Sequence, residues 1–214
     1  LVGPGAFIPP AERYNLMPAI DRWVIENTFK HLSRHLTGRT TANYLAAINL
    51  SGQTLADEEL VEFIEDRLQK YHIEPESICF EITETSAIGN LELATGLVSR
   101  LRSMGCSLSL DDFGTGLSSF SYLKQLPVNY LKIDGSFVRQ ILEDRISHAM
   151  VSSINQIGHI MQLKTIAEFV ENEAIKERLK LIGVDYIQGY AIGEPKPLGP
   201  FLESIARELT SQAC

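Results

Sequence analysis

Six short apolar runs in this 214-residue chain each finish on side chains that can bind a cation or carry a proton. Asn49 ends the first. Glu81, with Glu84 just beyond it, marks the second, and Asp111-Asp112 end the third. The fourth carries Lys132 and Asp134, Glu168 comes after the fifth with Glu171 beyond it, and Gln188 ends the sixth. Glu81, Asp111, Asp112 and Glu168 are hard oxygen donors, and Asn49 adds an amide carbonyl. That set suits Mg²⁺ or Mn²⁺ rather than zinc. Adjacent carboxylates such as Asp111 and Asp112 repel one another unless a cation compensates them. One carboxylate bridging two ions about 3.5–4 Å apart would make a two-metal phosphoryl-transfer site. None of the five histidines (His31, His35, His72, His148, His159) falls at a strand end. They read as helix-surface or loop residues, which disfavours a histidine-rich metallohydrolase.

Strand-like runs are expected at Tyr44–Asn49, Ile78–Ile82, Ser107–Leu110, Tyr130–Ile133, Thr165–Ala167 and Tyr186–Gln188. Helical spacing alternates with them at Pro18–His35, Asp57–Tyr71, Leu91–Met104, Ser118–Gln125, His148–Met161 and Glu171–Leu181, with a last helix at Pro200–Leu209. Pro18 fits a first helical turn, while Gly105 and Gly183 stop helices. Leu60, Phe63, Ile64 and Leu68 recur at amphipathic spacing after Asp57. Alternating strands and helices imply a parallel-rich α/β fold. An open doubly wound sheet and a closed barrel both satisfy that alternation. The strand ends separate them. A barrel draws its active site from the C-terminal ends of many strands, whereas an open sheet concentrates it at one switch point. Any one of these polar residues could be a helix cap or an interior pair. Six in succession argue for a TIM-like barrel with a site at its mouth.

Other classes are excluded by what the chain lacks. Hydrophobic residues make up 44% and charged residues 21%, ordinary for a globular domain. No apolar run approaches the roughly 20 residues that cross a bilayer. The first residues have no basic segment preceding an apolar core, so they are not a signal peptide, and without an initiator Met they read as a fragment. A net charge of −8 argues against a DNA or RNA polymer as partner. It leaves room for a small phosphate ester whose charge is met by metal ions. Cys79, Cys106 and Cys214 are odd in number and lack metal-ligand spacing. They read as reduced thiols in a cytoplasmic setting. No glycine-rich phosphate loop comes after a strand, no G-x-S-x-G elbow is present, and the Asp112-Phe113-Gly114 triplet stands without the other kinase motifs.

The segments Asn49-Leu50-Ser51, Glu81-Ile82-Thr83-Glu84, Asp111-Asp112-Phe113-Gly114-Thr115-Gly116, Leu131-Lys132-Ile133-Asp134, Ala167-Glu168-Phe169-Val170-Glu171 and Gln188-Gly189-Tyr190 resemble, in order and spacing, the signature of EAL domains. Pro4-Gly5-Ala6-Phe7-Ile8-Pro9 is similar to a further family segment, so the resemblance covers the whole chain as one domain, 1–214. It implies a (β/α)8 barrel of the EAL type. It also implies a metal-dependent cyclic di-GMP phosphodiesterase that releases linear pGpG through in-line attack by an activated water. By resemblance, Asn49, Glu81 and Asp111 would ligate one Mg²⁺ or Mn²⁺. Asp111, Asp112 and Glu168 would ligate the second, with Asp111 bridging. Lys132 would contact the attacking water or a phosphate oxygen, and Gln188 would help hold the water. Glu84 would anchor the Asp-Phe-Gly-Thr-Gly loop and Glu171 would support the ligands. The family also suggests a homodimer through the Phe113–Gly116 loop and the helix after it. A neighbouring diguanylate-cyclase-like or sensor domain would belong to the parent protein, which could be membrane-anchored.

Two departures bear on this. The Glu-Ala-Leu motif itself, with one further metal ligand, would lie upstream of Leu1, so the first strand region is absent from this chain and the fragment alone could be inactive. Phe169 stands where the family most often has Gly, and strand alternation would send it away from Glu168, beneath the barrel rim. The alternative function is a degenerate, inactive domain that serves as a cyclic di-GMP receptor or regulatory module. The full set of retained polar residues favours the enzyme over it.

Overall fold

The computed structural model describes residues 2–36, 44–115 and 121–211. Its elements run α1 Pro4–Arg13, α2 Met17–Leu36, β1 Ala46–Asn49, α3 Leu60–Tyr71, β2 Ile78–Thr83, α4 Glu84–Gly89, α5 Leu91–Ser103 and β3 Ser107–Phe113. They continue with β4 Tyr130–Ile133, α6 Gly135–Gln140, α7 Arg145–Ile160, β5 Lys164–Ala167, α8 Glu173–Ile182, β6 Tyr186–Ile187 and α9 Leu198–Ser211. The expected alternation is present, and six strands fall on the six expected runs. Two compact units divide the chain. Leu1–Phe80, Arg100–Cys106 and Lys196–Cys214 form one, and Glu81–Ser99 with Ser107–Pro195 the other.

In the first unit, β1 is the neighbour of β2. Helix α2 packs on both α3 and α9. Ile25, Phe29, Leu60, Ile64, Ile78 and Phe80 are fully buried there. Burying each such side chain contributes about 1.5–3 kcal/mol before conformational entropy is subtracted. Helix α3 starts at Leu60 rather than Asp57, because Asp57 is occupied otherwise. Its carboxylate takes three bonds from Arg22, one at 3.0 Å and two at 2.8 Å, and one from the Glu59 amide. Cys79 and Cys106 are buried and in no disulfide, and burial pushes the Cys106 thiol up to about 12. Cys214 lies outside the described residues.

In the second unit the strands are arranged in the order β2, β3, β4, β5, β6. The pairs β3–β4, β4–β5 and β5–β6 are parallel. Leu108, Leu110, Leu131, Ile133, Ala167 and Val170 are fully buried. Of the helix expected at Ser118–Gln125, residues 118–120 lie outside the described residues, and the remainder holds a 3-10 turn at Tyr122–Lys124. Helices α4 and α6 are too short to show periodicity. Each is started by a side-chain cap instead, Thr83 Oγ1 accepting from the Ser86 amide and Asp134 from the Ser136 amide. Asp134 is thus a helix cap.

The end of this unit away from those caps is held by Asp185. Its carboxylate accepts from Lys164 Nζ at 2.6 Å and from the Thr165 amide at 2.9 Å, with His159 Nε2 at 2.8 Å. Burial opposes the charge, but Lys164, the Thr165 amide and His159 outweigh it and hold the carboxyl well below its usual range. A lowered carboxylate pKa stabilises the fold above the ordinary Asp value of about 4, and the contribution is lost as pH falls. Asp185→Asn is expected to cost about 2 kcal/mol at pH 7, the size of a charge-assisted hydrogen bond. For a chain of this length that is about 4–8 °C in Tm. Paired melts of both proteins should show the gap narrowing below pH 4, and a gap independent of pH would contradict the assignment.

Candidate metal centre

Strand β3 shows how the sheet presents two consecutive carboxylates at one place. Leu110 pairs with Leu131 and Phe113 with Ile133, so β3 holds one residue more than β4 over that interval. The bulge contains Asp111 and Asp112. Simple alternation would send their side chains to opposite faces. A bulge re-aims them, and Asp112 takes a left-handed backbone, φ 55°. The strand accordingly runs to Phe113, past the expected end at Leu110. The Asp112 amide donates to Asp111 Oδ1 at 2.9 Å, which braces the pair.

Around this bulge the second unit gathers charge. Lys132, from β4, is 3% exposed, and its Nζ lies 2.7 Å from Glu168 Oε1, 2.9 Å from Glu81 Oε2 and 3.1 Å from Asp111 Oδ2. Glu81, Asp111 and Glu168 are themselves buried. Burial pushes the Glu81 and Glu168 carboxyls up, against the pull of Lys132, and the neighbouring Asp111 and Asp112 add to the rise. Asp112 is raised by burial, then by Asp111 and Asp134. Lys132 shows the reverse balance. Burial disfavours its charge, but Glu81, Asp111 and Glu168 prevail and hold its pKa up.

Four carboxylates against one ammonium leave a formal charge of −3, most of which divalent cations would offset. One oxygen from each of Asp111, Asp112 and Glu168 lies within 4.8 Å of the others. All are hard oxygen donors, and no histidine or cysteine is among them, so the group fits Mg²⁺ or Mn²⁺.

A cavity of about 330 Å³ opens beside Glu168, lined by Arg139, Glu168, Phe169, Glu171, Gln188, Gly189 and Tyr190. Gln188 and Glu171, both expected at the site, are therefore on its wall. Gln188 is fixed by its backbone, its amide donating to Ala167 at 2.8 Å and its carbonyl accepting from Val170 at 3.0 Å. Gly189 permits this approach, since a Cβ there would lie 2.3 Å from the Val170 nitrogen. Asn49 is the exposed last residue of β1, in the first unit.

Phe169 departs from its expected place. It lies beyond the end of β5, so strand alternation no longer governs it. Its φ is 53° and it is 48% exposed. The ring packs flush on Gly135, where a Cβ would sit 2.1 Å from Cδ2, and the Arg139 guanidinium stacks on it at 4.2 Å. It therefore walls the same cavity as Glu168 rather than lying beneath a rim. A left-handed backbone costs a non-glycine residue about 1–2 kcal/mol, and such strain clusters at functional sites. Arg139 and Tyr122 carried no motif signal in the sequence.

Parallel strands joined by helices, with a carboxylate group at the ends of β3 and β5 whose oxygens are close enough to hold a cation, define an α/β domain with a candidate metal site. The EAL domain model matches residues 1–195, and the chain belongs to that family. It is 43% identical to cyclic di-GMP phosphodiesterase PdeB of Shewanella oneidensis over 213 residues, which are 100% of this chain and 25% of that protein. It is 37% identical to cyclic di-GMP phosphodiesterase PdeF of Escherichia coli, covering 96% of this chain and 27% of that protein. The solved PaMucR phosphodiesterase complex with c-di-GMP superposes with a TM-score of 0.88 at 36% identity, over 94% of this chain and 81% of that one. The fold is thus that of solved EAL domains, the TIM-like α/β class expected. The chain spans about a quarter of the length of the curated relatives it matches.

Proposed function

We propose that residues 1–214 form one EAL domain that hydrolyses cyclic di-GMP to linear pGpG with two Mg²⁺ or Mn²⁺ ions. The observation that carries this reading is the convergence of Asp111, Asp112 and Glu168 on a common point, with Lys132 buried among the carboxylates and an adjoining cavity beside Glu168. The names of PdeB and PdeF, and the ligand of the PaMucR complex, support the substrate. Glu81 and Asp111 would hold one ion, and Asp111, Asp112 and Glu168 the other. When bound, such ions supply positive charge at the phosphate and a water of lowered pKa. The chain's own residues do the rest. Lys132 places a fixed cation where negative charge grows on the phosphoryl oxygens. Gln188, on the cavity wall, orients the attacking water. Phe169 and Tyr190 offer aromatic surface on which a base can stack, Glu84 anchors Gly114, and Glu171 supports the Glu168 side of the cavity.

A net charge of −8 does not suit a DNA or RNA polymer. Among the described residues no helix is long and apolar enough to cross a membrane, and a domain acting on a nucleotide messenger would work in the cytoplasm. A diguanylate-cyclase-like or sensor domain would share the parent chain. A homodimer would form through Phe113–Gly116 and the segment after it, where residues 116–120 lie outside the described residues.

The test is hydrolysis of cyclic di-GMP with product chromatography. Turnover to pGpG is expected with Mg²⁺ or Mn²⁺, at least about 100-fold less with excess chelator, and inhibition by Ca²⁺, whose longer, looser coordination misplaces the water. Full activity in chelator would remove the metal from the mechanism. Tight binding of cyclic di-GMP without turnover under any metal would instead favour the receptor.

A further inference from the structure

A single buried carboxylate grips the chain at two points as it leaves β3. Glu84 has no exposed surface and begins α4 directly after β2. Its Oε2 accepts from the Gly114 amide at 2.9 Å, and its Oε1 accepts from the Tyr122 phenol at 2.5 Å. Gly114 stands two residues after Asp112, and both have left-handed backbones, φ 102° and φ 55°. Thr115 Oγ1 donates to the Asp112 carbonyl at 3.0 Å and closes that turn. Asp112 thus owes its direction to a strained backbone that Glu84 tethers two residues further on.

Tyr122 is 7% exposed and lies in the 3-10 turn Tyr122–Lys124, outside the Asp111, Asp112 and Glu168 group and outside the wall of the cavity beside Glu168. A carboxylate fixed through one oxygen can still turn about its last torsion, which has broad wells. A second bond on the other oxygen stops it. We propose that Tyr122 is a positioning residue for Asp112: its phenol locks the Glu84 carboxylate that holds the Gly114 amide, and so sets the backbone that aims Asp112 at the metal. This rests on the reading of Asp112 as a metal ligand. Burial and the Glu84 charge both push the phenol's pKa up, so it remains a hydrogen-bond donor throughout any assay range.

The experiment compares Tyr122→Phe, Glu84→Gln and the double variant in the intact protein. Phenylalanine keeps the ring and removes only the donor. Four readings are taken: melting temperature, Mn²⁺ binding by titration calorimetry, hydrogen exchange at the Gly114 amide, and kcat and KM for cyclic di-GMP. Supporting a ligand from behind is typically worth about 10–100-fold in metal affinity or activity. Tyr122→Phe is expected to weaken Mn²⁺ binding by that amount, to speed Gly114 exchange and to lower kcat while leaving KM near the wild-type value. The double variant should be no worse than Glu84→Gln, because coupled residues do not add. Wild-type Mn²⁺ affinity with wild-type Gly114 exchange in a folded Tyr122→Phe protein overturns the proposal, as do fully additive losses. Where Tyr122→Phe does not fold, the same two readings on Glu84→Gln decide it in the same sense. A wild type that binds Mn²⁺ but never turns over substrate defeats the phosphodiesterase reading alone, since calorimetry and exchange still decide the role of Tyr122.

Discussion

Asp112→Asn and Glu168→Gln are each expected to lower kcat for cyclic di-GMP by about 10³-fold or more, equivalent to about 4 kcal/mol of transition-state stabilisation. Both changes keep the shape of the side chain and remove one negative charge from the oxygen cluster. Their effect on the fold should be small, and the structure says why. Burial and neighbouring carboxylates already oppose the charge on both residues. Neutralising Asp112 relieves repulsion from Asp111 and Asp134. Neutralising Glu168 gives up its 2.7 Å ion pair with Lys132 but also removes its repulsion with Asp111. In chelator, Asp112→Asn should melt at or above the wild-type temperature and Glu168→Gln within a few degrees of it. Product chromatography and thermal melts together check the pair. Turnover above a tenth of the wild-type rate by either variant would contradict the ligand roles, and collapse of the fold would show that their charges serve structure first.

The parts of this site that were legible in the sequence are those whose position is set by where a strand stops. Glu81, Lys132 and Glu168 sit at strand ends whatever the register, and the structure gathers them within ion-pair distance. Periodicity also placed α2, α5 and α7 within a few residues, because each has a long apolar stripe. Other features were hidden for physical reasons. Three prolines over Pro4–Pro10 conceal α1 from any propensity argument. The bulge at Asp111-Asp112 is a backbone event with no side-chain period. Phe169 departs from strand alternation because β5 stops at Ala167 and its own left-handed backbone turns the chain there. Tyr122 and Glu84 are 38 residues apart. Only the folded chain shows that the phenol of one donates to the carboxylate of the other.

The charge arrangement around Lys132 leads to the second large effect. Three buried carboxylates approach its ammonium within 3.1 Å, and no other cation is seen within ion-pair distance of them among the described residues. Removing one member of a buried ion group leaves uncompensated charge and typically costs about 3–5 kcal/mol. Lys132→Met, which keeps much of the stem volume, is therefore expected to lower the melting temperature in chelator by about 6–20 °C. The loss should shrink when Mn²⁺ is added, because a dication bound by Asp111 and Glu168 takes over part of the compensation that the ammonium gave. Activity should stay about 10²–10³-fold down even with saturating Mn²⁺, since the positive charge proposed to face the phosphoryl oxygens is gone. Lys132→Arg should not restore it: a planar fork cannot direct three donors at three carboxylates as a compact ammonium does. Calorimetric melts with and without Mn²⁺ separate the two roles. If Lys132→Met melts like the wild type in chelator, the carboxylates do not depend on this lysine, and its part in the mechanism must rest on contact with substrate alone.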